Sequence, residues 1–263
     1  MSAYIAILSA RLRTLLQYRA VALAGIITQL FWGLIRIAIF EAFYRSSTDV
    51  QPMTYSEVAD YIWLGQAMFA LIPVTADSDL HTMIRTGTVA YELLRPVDLY
   101  NFWYSRSLAS RIAPALLRSL PVFGVALLFF SLKPPASYAS AAAWSLAIIS
   151  ALLLSSAIST LSSILLLWTI SGEGINRLLT LLVFVFSGTL VPLPLFPEWF
   201  QPFLNFLPFR GLVDVPLRLY MGHIPASDAW MMLGHQLIWI LLFVALGRCL
   251  LAYGTHRLVV QGG

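Results

Sequence analysis

Residues able to carry covalent or metal chemistry are few in this chain, and they are scattered. His81, His223, His235 and His256 fall in different segments, with no HExxH pair and no carboxylate at ligand spacing, so neighbours in sequence assemble no metal site. Cys249 is the only cysteine, which excludes an internal disulfide and a cysteine-based cluster; in a late apolar stretch it reads as a small buried packing residue. There is no Walker A glycine loop, no GxSxG turn and no serine beside a base, so the chain reads as a non-enzyme without a nucleotide site of its own. Energy for any work it does has to come from a partner.

Arg36 is the ionisable residue that stands out. It lies about eight residues, roughly 12 Å, from the outer end of an apolar stretch, and a charge at that depth is costly enough to need a reason. Gln29, Gly33 and Phe40 share its helical face. Arg36 either snorkels outward toward Glu41 or a lipid headgroup, or lines a subunit interface or substrate path. Arg118, His235 and Gln236 are further polar residues in apolar stretches, read as interhelical hydrogen-bonders or interfacial anchors.

The elements that position these residues follow from composition. Hydrophobic residues make up 59% of the 263 and charged residues 11%, with a mean hydropathy of +0.81. Soluble domains run at roughly 45–50% and 25%, and a soluble fold this size lacks the core to hide such an excess. The chain therefore reads as an all-α integral membrane protein, a single transmembrane domain over residues 1–263. Among its 16 basic residues only Lys133 is lysine, and the net charge of +4 arises without a basic run, which argues against a nucleic-acid partner.

Six stretches approach the ~20 apolar residues of a crossing helix: 21–43, 55–75, 112–130, 141–170, 175–191 and 229–251. An even count places both termini on one side. Arg11, Arg13, Arg19, Arg85, Arg95, Arg106, Arg111, Arg177, Arg248 and Arg257 then share that side, against Arg45, Lys133, Arg210 and Arg218 opposite, so both termini are expected in the cytoplasm.

Three features lie outside the spans. Residues 1–19 hold an amphipathic helix, with Tyr4, Ile5, Leu8, Leu12, Leu15 and Leu16 on one stripe, suited to the cytoplasmic interface and unlike a cleaved leader. Residues 76–104 form a cytoplasmic loop in which Asp77, Ser78 or Asp79 caps a short helix through Arg85 and Gly87 stops it. Residues 192–228 are apolar yet broken by Pro192, Pro194, Pro197, Pro202, Pro208, Pro216 and Pro225, a pattern met by short helices that re-enter the outer leaflet.

This pattern resembles the ABC-2 type permeases, the transmembrane halves of type V ABC exporters. Two strings carry the resemblance: RTGTVAYELLRPVDLYNFW at 85–103, similar to the "LLRP" segment after span two in a bacterial branch, and FSGTLVPLPLFPEWFQPFLNFLPF at 186–209, similar to the run that closes span five there. The resemblance implies a coupling helix at 77–88 that docks on a separate ATPase, with Asp77, Asp79, His81, Arg85 and Gly87 as its key residues. It implies that Arg11, Arg13 and Tyr18 belong to a connecting helix touching the same ATPase, which alone binds ATP and Mg. Pro192, Pro194, Phe196, Pro197 and Trp199 would belong to an external gate. A substrate path along spans two and five would be walled by Trp63, Gln66, Met68, Phe69, Phe184 and Phe186, beside Arg36 and Gln29.

A second permease, identical or related, is implied as partner, together with membrane lipids and the bacterial inner membrane as location. Some relatives are described as exporting cationic viologens, so the cargo implied is lipophilic or amphiphilic, cations included. The alternatives from other classes are an ion-coupled secondary transporter, which the scarcity of carboxylates in the spans disfavours, and a scaffold that recruits a cytoplasmic partner without transport.

Overall fold

The computed structural model describes residues 3–73, 78–94, 96–168 and 173–255. These residues are helical or in turns, with no strand among them. Four helices are long and apolar enough to cross a membrane: α2 (Arg19–Ser46), the continuous helix Leu99–Phe129, the helix Tyr138–Trp168 and the last one, Ala226–Thr255. A short α1 (Ala3–Leu16) precedes them, as the amphipathic pattern predicts. The second and fifth apolar stretches are shorter than expected: α3 (Tyr55–Met68) continues in a 3-10 turn to Leu71, and α9 (Glu173–Phe186) ends at a turn. At 14 residues each, α3 and α9 are about 21 Å long.

Helix starts follow local chemistry. Thr54 and Glu57 form a reciprocal capping box for α3, with Thr54 N–H donating to Glu57 Oε2 at 2.7 Å and Glu57 N–H to Thr54 Oγ1 at 3.3 Å. Asp98 caps α6 (Leu99–Pro114) through the Asn101 N–H, and Ser137 caps α8 (Tyr138–Leu165) through Ser140 N–H. The third span begins at Leu99 rather than near residue 112, because α1 packs along its N-terminal part and supports the helix before the apolar run. Inside this helix Pro114 opens a π-turn, Ala115–Ser119, before α7 (Leu120–Phe129); proline has no N–H to give the helical ladder.

The centre is α3, with every residue from Asp60 to Met68 buried, packed against α2, α7 and α11 (Asp214–Met221). The second axis is α8, whose face of Ala143, Ala147, Ala151, Ser155 and Ser159 lets α11 and α12 (Ala229–Thr255) approach closely. Some of its serines bond inside the helix: Ser156 Oγ donates to the Leu152 carbonyl and Ser163 Oγ to that of Ser159. Large apolar side chains point outward instead, among them Phe31, Trp32 and Ile39 on α2 and Leu237, Ile238 and Leu241 on α12. That inside-out pattern suits a lipid surround. Cys249 is exposed on α12, not buried as the sequence suggested, because helix rotation turns its neighbours Gly247 and Leu251 inward.

Between α9 and α12 the prolines break the chain into 3-10 turns, the six-residue α10 (Gln201–Phe206) and α11. On the opposite face α4 (Ser78–Arg85) and the four-residue α5 (Ala90–Leu93) stand below the bundle.

Candidate functional site

The first site is built on α4. Leu80 is buried with Val89, Tyr100, Phe102, Trp103, Ile164 and Leu251, while Met83 and Ile84 pack at the rim, so one side of α4 is cemented to α6, α8 and α12. Gly87 stops the helix at φ 75°, a left-handed conformation in which other residues are strained. Asp79 Oδ2 receives Arg11 of α1 at 2.6 Å and lies 3.5 Å from Arg106 of α6. Arg106 also pairs with buried Glu92 at 3.3 Å, and Glu92 accepts the Trp103 indole N–H at 2.8 Å. Arg248 of α12 donates to Asn101 at 2.8 Å, and Tyr4 Oη accepts the Asp98 N–H at 3.1 Å. One charged lattice thus joins α1, α4, α5 and α6.

Of the residues singled out for docking, Asp79 and Arg11 face each other inside the chain and fix the pose of α4. His81 is half-exposed, Arg13 is exposed on α1, Tyr18 is exposed, and Arg85 is the last residue of α4. Asp77 lies outside the described residues. Glu92, Trp103 and Arg106 were not singled out from sequence; an acid three residues before Arg95-Pro96 was the available signal.

The second site lies on the other face, where α3, the end of α9 and α11 meet. Tyr61 Oη donates to Asp214 Oδ1 at 3.1 Å, and Arg218 approaches Asp214 Oδ2 at 3.7 Å. Asp214 N–H donates to the Ser187 carbonyl at 3.0 Å, and Ser187 and Thr189 hydroxyls bond each other at 2.7 Å. Gly188, at φ 87°, presses on the Tyr61 hydroxyl, where a Cβ would collide. Burial pushes the Asp214 carboxyl up from its ordinary range, and Arg218 and Arg210 pull it back. Sequence reasoning missed Tyr61, Asp214 and Arg218; the i,i+4 acid–base pair inside an apolar stretch was the signal.

Arg36 belongs to this region. Its guanidinium donates to the Leu190 carbonyl at 3.0 Å, while Glu41 is held by Arg45 at 2.6 Å. Arg36 therefore ties α2 to the turn after α9. Nearby, His223 Nε2 meets Glu57 Oε1 at 2.9 Å beside a cavity of about 210 Å³ that Asp60 and Lys133 also line.

The proposed path residues divide into three groups. Trp63 stacks on Phe130 with centroids 4.0 Å apart, and Gly33 fits against Trp63 and Gln66. Phe69 touches Phe184 at 5.8 Å, on a groove of about 470 Å³ along α9 lined by Asn176, Thr180, Phe184 and Leu190. Phe186 turns away to an outer aromatic cluster with Phe200, Phe203 and Phe209. Phe196 and Trp199 join that cluster through Phe200, and Gln201 clamps the Leu193 and Phe196 carbonyls at 2.8 and 3.0 Å. Pro192 and Pro197 carbonyls each accept a bond closing a 3-10 turn, from Leu195 and Phe200, and Pro194 lies within the first of these turns. Gln236 donates to the Gly211 carbonyl at 2.6 Å and that of Ala147 at 3.2 Å, and His235 faces the Phe206 carbonyl, so both are interhelical hydrogen-bonders.

Two separate stations result: a helix held rigidly on one face, and a buried carboxylate hub under a proline-broken cap on the other, with a lateral groove between. A family model described as ABC-2 family transporter protein matches residues 30–262. Neither the curated proteins nor the solved structures give a match.

Proposed function

The chain belongs to the ABC-2 transporter family, and on that premise we propose that it is the permease subunit of an ATP-driven exporter. Six crossings are formed by α2, α3, the helix Leu99–Phe129, α8, α9 and α12, with both termini and α4 in the bacterial cytoplasm. Residues 192–228 re-enter the outer leaflet and act as the external gate. ATP and Mg belong to a separate ATPase, and a second permease, the same chain or a relative, completes the path. The cargo is a lipophilic or amphiphilic molecule taken up along the α9 groove past Phe69 and Phe184.

The observation that carries this reading is the suspension of α4: Asp79 is gripped by Arg11 and Arg106 while Leu80 is buried under the bundle. A push on α4 therefore moves α1 and the helix Leu99–Phe129 together, and a rigid element of this kind can bias a two-state cavity. The scaffold alternative needs no such linkage to a span.

The test is co-expression with candidate ABC ATPase subunits from the same genome. The pair is expected to purify as a complex whose ATP hydrolysis responds to amphiphiles. Changing the outward α4 residues, His81→Glu with Thr82→Arg, is expected to abolish the complex without lowering the yield of folded permease. An intact complex with unchanged coupled hydrolysis would defeat the reading.

A further inference from the structure

Arg118 is a cation within an apolar helix that has no partner among the described residues. It sits on the π-turn of the helix Leu99–Phe129. Its guanidinium packs against Gly25, with atoms 2.7–2.8 Å from where a Cβ would stand, an approach open because that residue is glycine. No hydrogen bond, ion pair or ring contact is made by Arg118 among the described residues, and its Nε is shut off from solvent without a partner.

A second unpartnered polar group lies on the same face of α2 as Gly25. Gln29 is 5% exposed, and neither its Oε1 nor its Nε2 has a partner. Gly25, Gln29 and Gly33 form an i,i+4 stripe on α2, and a helical side chain leans over the turn before it, which carries the Gln29 amide toward Gly25 and Arg118. Ser119 Oγ, on the same π-turn, is also buried and unpartnered. An unsatisfied buried amide costs on the order of 1–3 kcal/mol, so the Gln29 amide on the α2 face that Arg118 meets at Gly25 points to a missing ligand.

Charge and depth define that ligand. The helices that meet at the notch carry acids only far from it: Glu41 at the other end of α2, and Glu57 and Asp60 at the start of α3, already engaged by His223 and Lys133. Gly25 lies about 9 Å along α2 from Arg19, and Arg118 about 10 Å beyond Arg111, on the side of the bundle that bears α1 and α4. That is below the headgroup level by roughly the reach of an arginine, and the side chain of Arg118 leans back toward that surface.

We propose that the notch formed by Arg118, Gln29 and Gly25 binds the anionic headgroup of a membrane amphiphile from the leaflet that faces α1 and α4. The guanidinium takes the phosphate as a fork of donors, and the Gln29 amide donates a further bond. This deepens the permease reading on which it rests, because an anion-selective notch beside α2 and α3 favours acidic amphiphiles over cationic ones as cargo or as a bound lipid.

Native mass spectrometry of the purified full chain tests the site with phosphatidylglycerol and phosphatidylcholine as probes. Wild type is expected to retain phosphatidylglycerol saturably, about tenfold tighter than phosphatidylcholine. Arg118→Gln should erase that preference and Arg118→Lys should keep most of it. Gln29→Glu supplies an internal carboxylate and should evict the lipid with Arg118 still present, which guards against a variant that merely misfolds. Equal retention of the two lipids by wild type, an undiminished preference in Arg118→Gln and Gln29→Glu, or competition by inorganic phosphate alone would each overturn a lipid-borne anion. ATPase association is measured on the same variants: its loss with lipid preference intact counts against the permease reading alone, and its retention with no lipid preference counts against the notch alone.

Discussion

The two charged stations of this protein solve opposite problems. On the α4 face, Arg11 and Asp79 are 29% and 52% exposed, and their lattice spreads over several partners. On the other face, Asp214 is 1% exposed and depends on Tyr61, Arg218 and one backbone carbonyl. Exposed pairs are individually weak and screened by salt, whereas a buried carboxylate is costly to leave alone. The Arg11–Asp79 pair on the α4 face is therefore cheap to rearrange, and the hub under the proline cap costly to open.

The largest effect should come from the hub. Asp214→Ala leaves Arg218 and the Tyr61 hydroxyl without their acceptor, and about 3 kcal/mol of stability should be lost, read as a lowered midpoint in detergent thermal unfolding. Asp214→Asn, which keeps an acceptor oxygen but not the charge, should lose less; equal losses would mean that the charge, and not the retained acceptor, carries the whole effect.

Gly188→Ala comes next. A methyl group at φ 87° would meet the Tyr61 hydroxyl, for a cost of about 2 kcal/mol. Tyr61→Phe in the same chain should recover part of that loss, which a purely backbone effect would not allow.

On the α4 face the effects should be smaller. Glu92→Ala removes the acceptor of Trp103 and a partner of Arg106, with an expected loss of about 1.5 kcal/mol and a red shift of tryptophan emission as Trp103 is wetted. Arg11→Ala should cost under about 1 kcal/mol and less still at high salt, yet weaken ATPase coupling by freeing α4. A stability loss for Arg11→Ala matching that for Asp214→Ala would erase the contrast between the two faces.

Much of the fold was legible in advance because the signals are local. Runs of apolar residues mark α2, α8 and α12, Gly87 marks the end of α4, and the prolines from 192 onward foretell a chain broken into short helices. Lengths were harder. The apolar count ended the second stretch near residue 75, whereas the helix yields to a 3-10 turn by Phe69, and the third helix starts at Leu99 because α1 supports it. Phe186 was grouped with Phe184, yet residues two apart on a helix face different ways, and Phe186 joined the outer cluster.

The sequence by itself determined that this protein is an all-helical membrane chain of the ABC-2 kind, and where its few charges fall along the polymer. Only the tertiary structure decided which charges find each other. Asp214 meets Tyr61 from 153 residues away, Arg36 meets the Leu190 carbonyl from 154, and Arg11 meets Asp79 from 68. Periodicity reports which face a residue occupies and nothing about what that face will touch. The same folding that paired the others left Arg118 without a partner among the described residues, and no local pattern could have separated it from them.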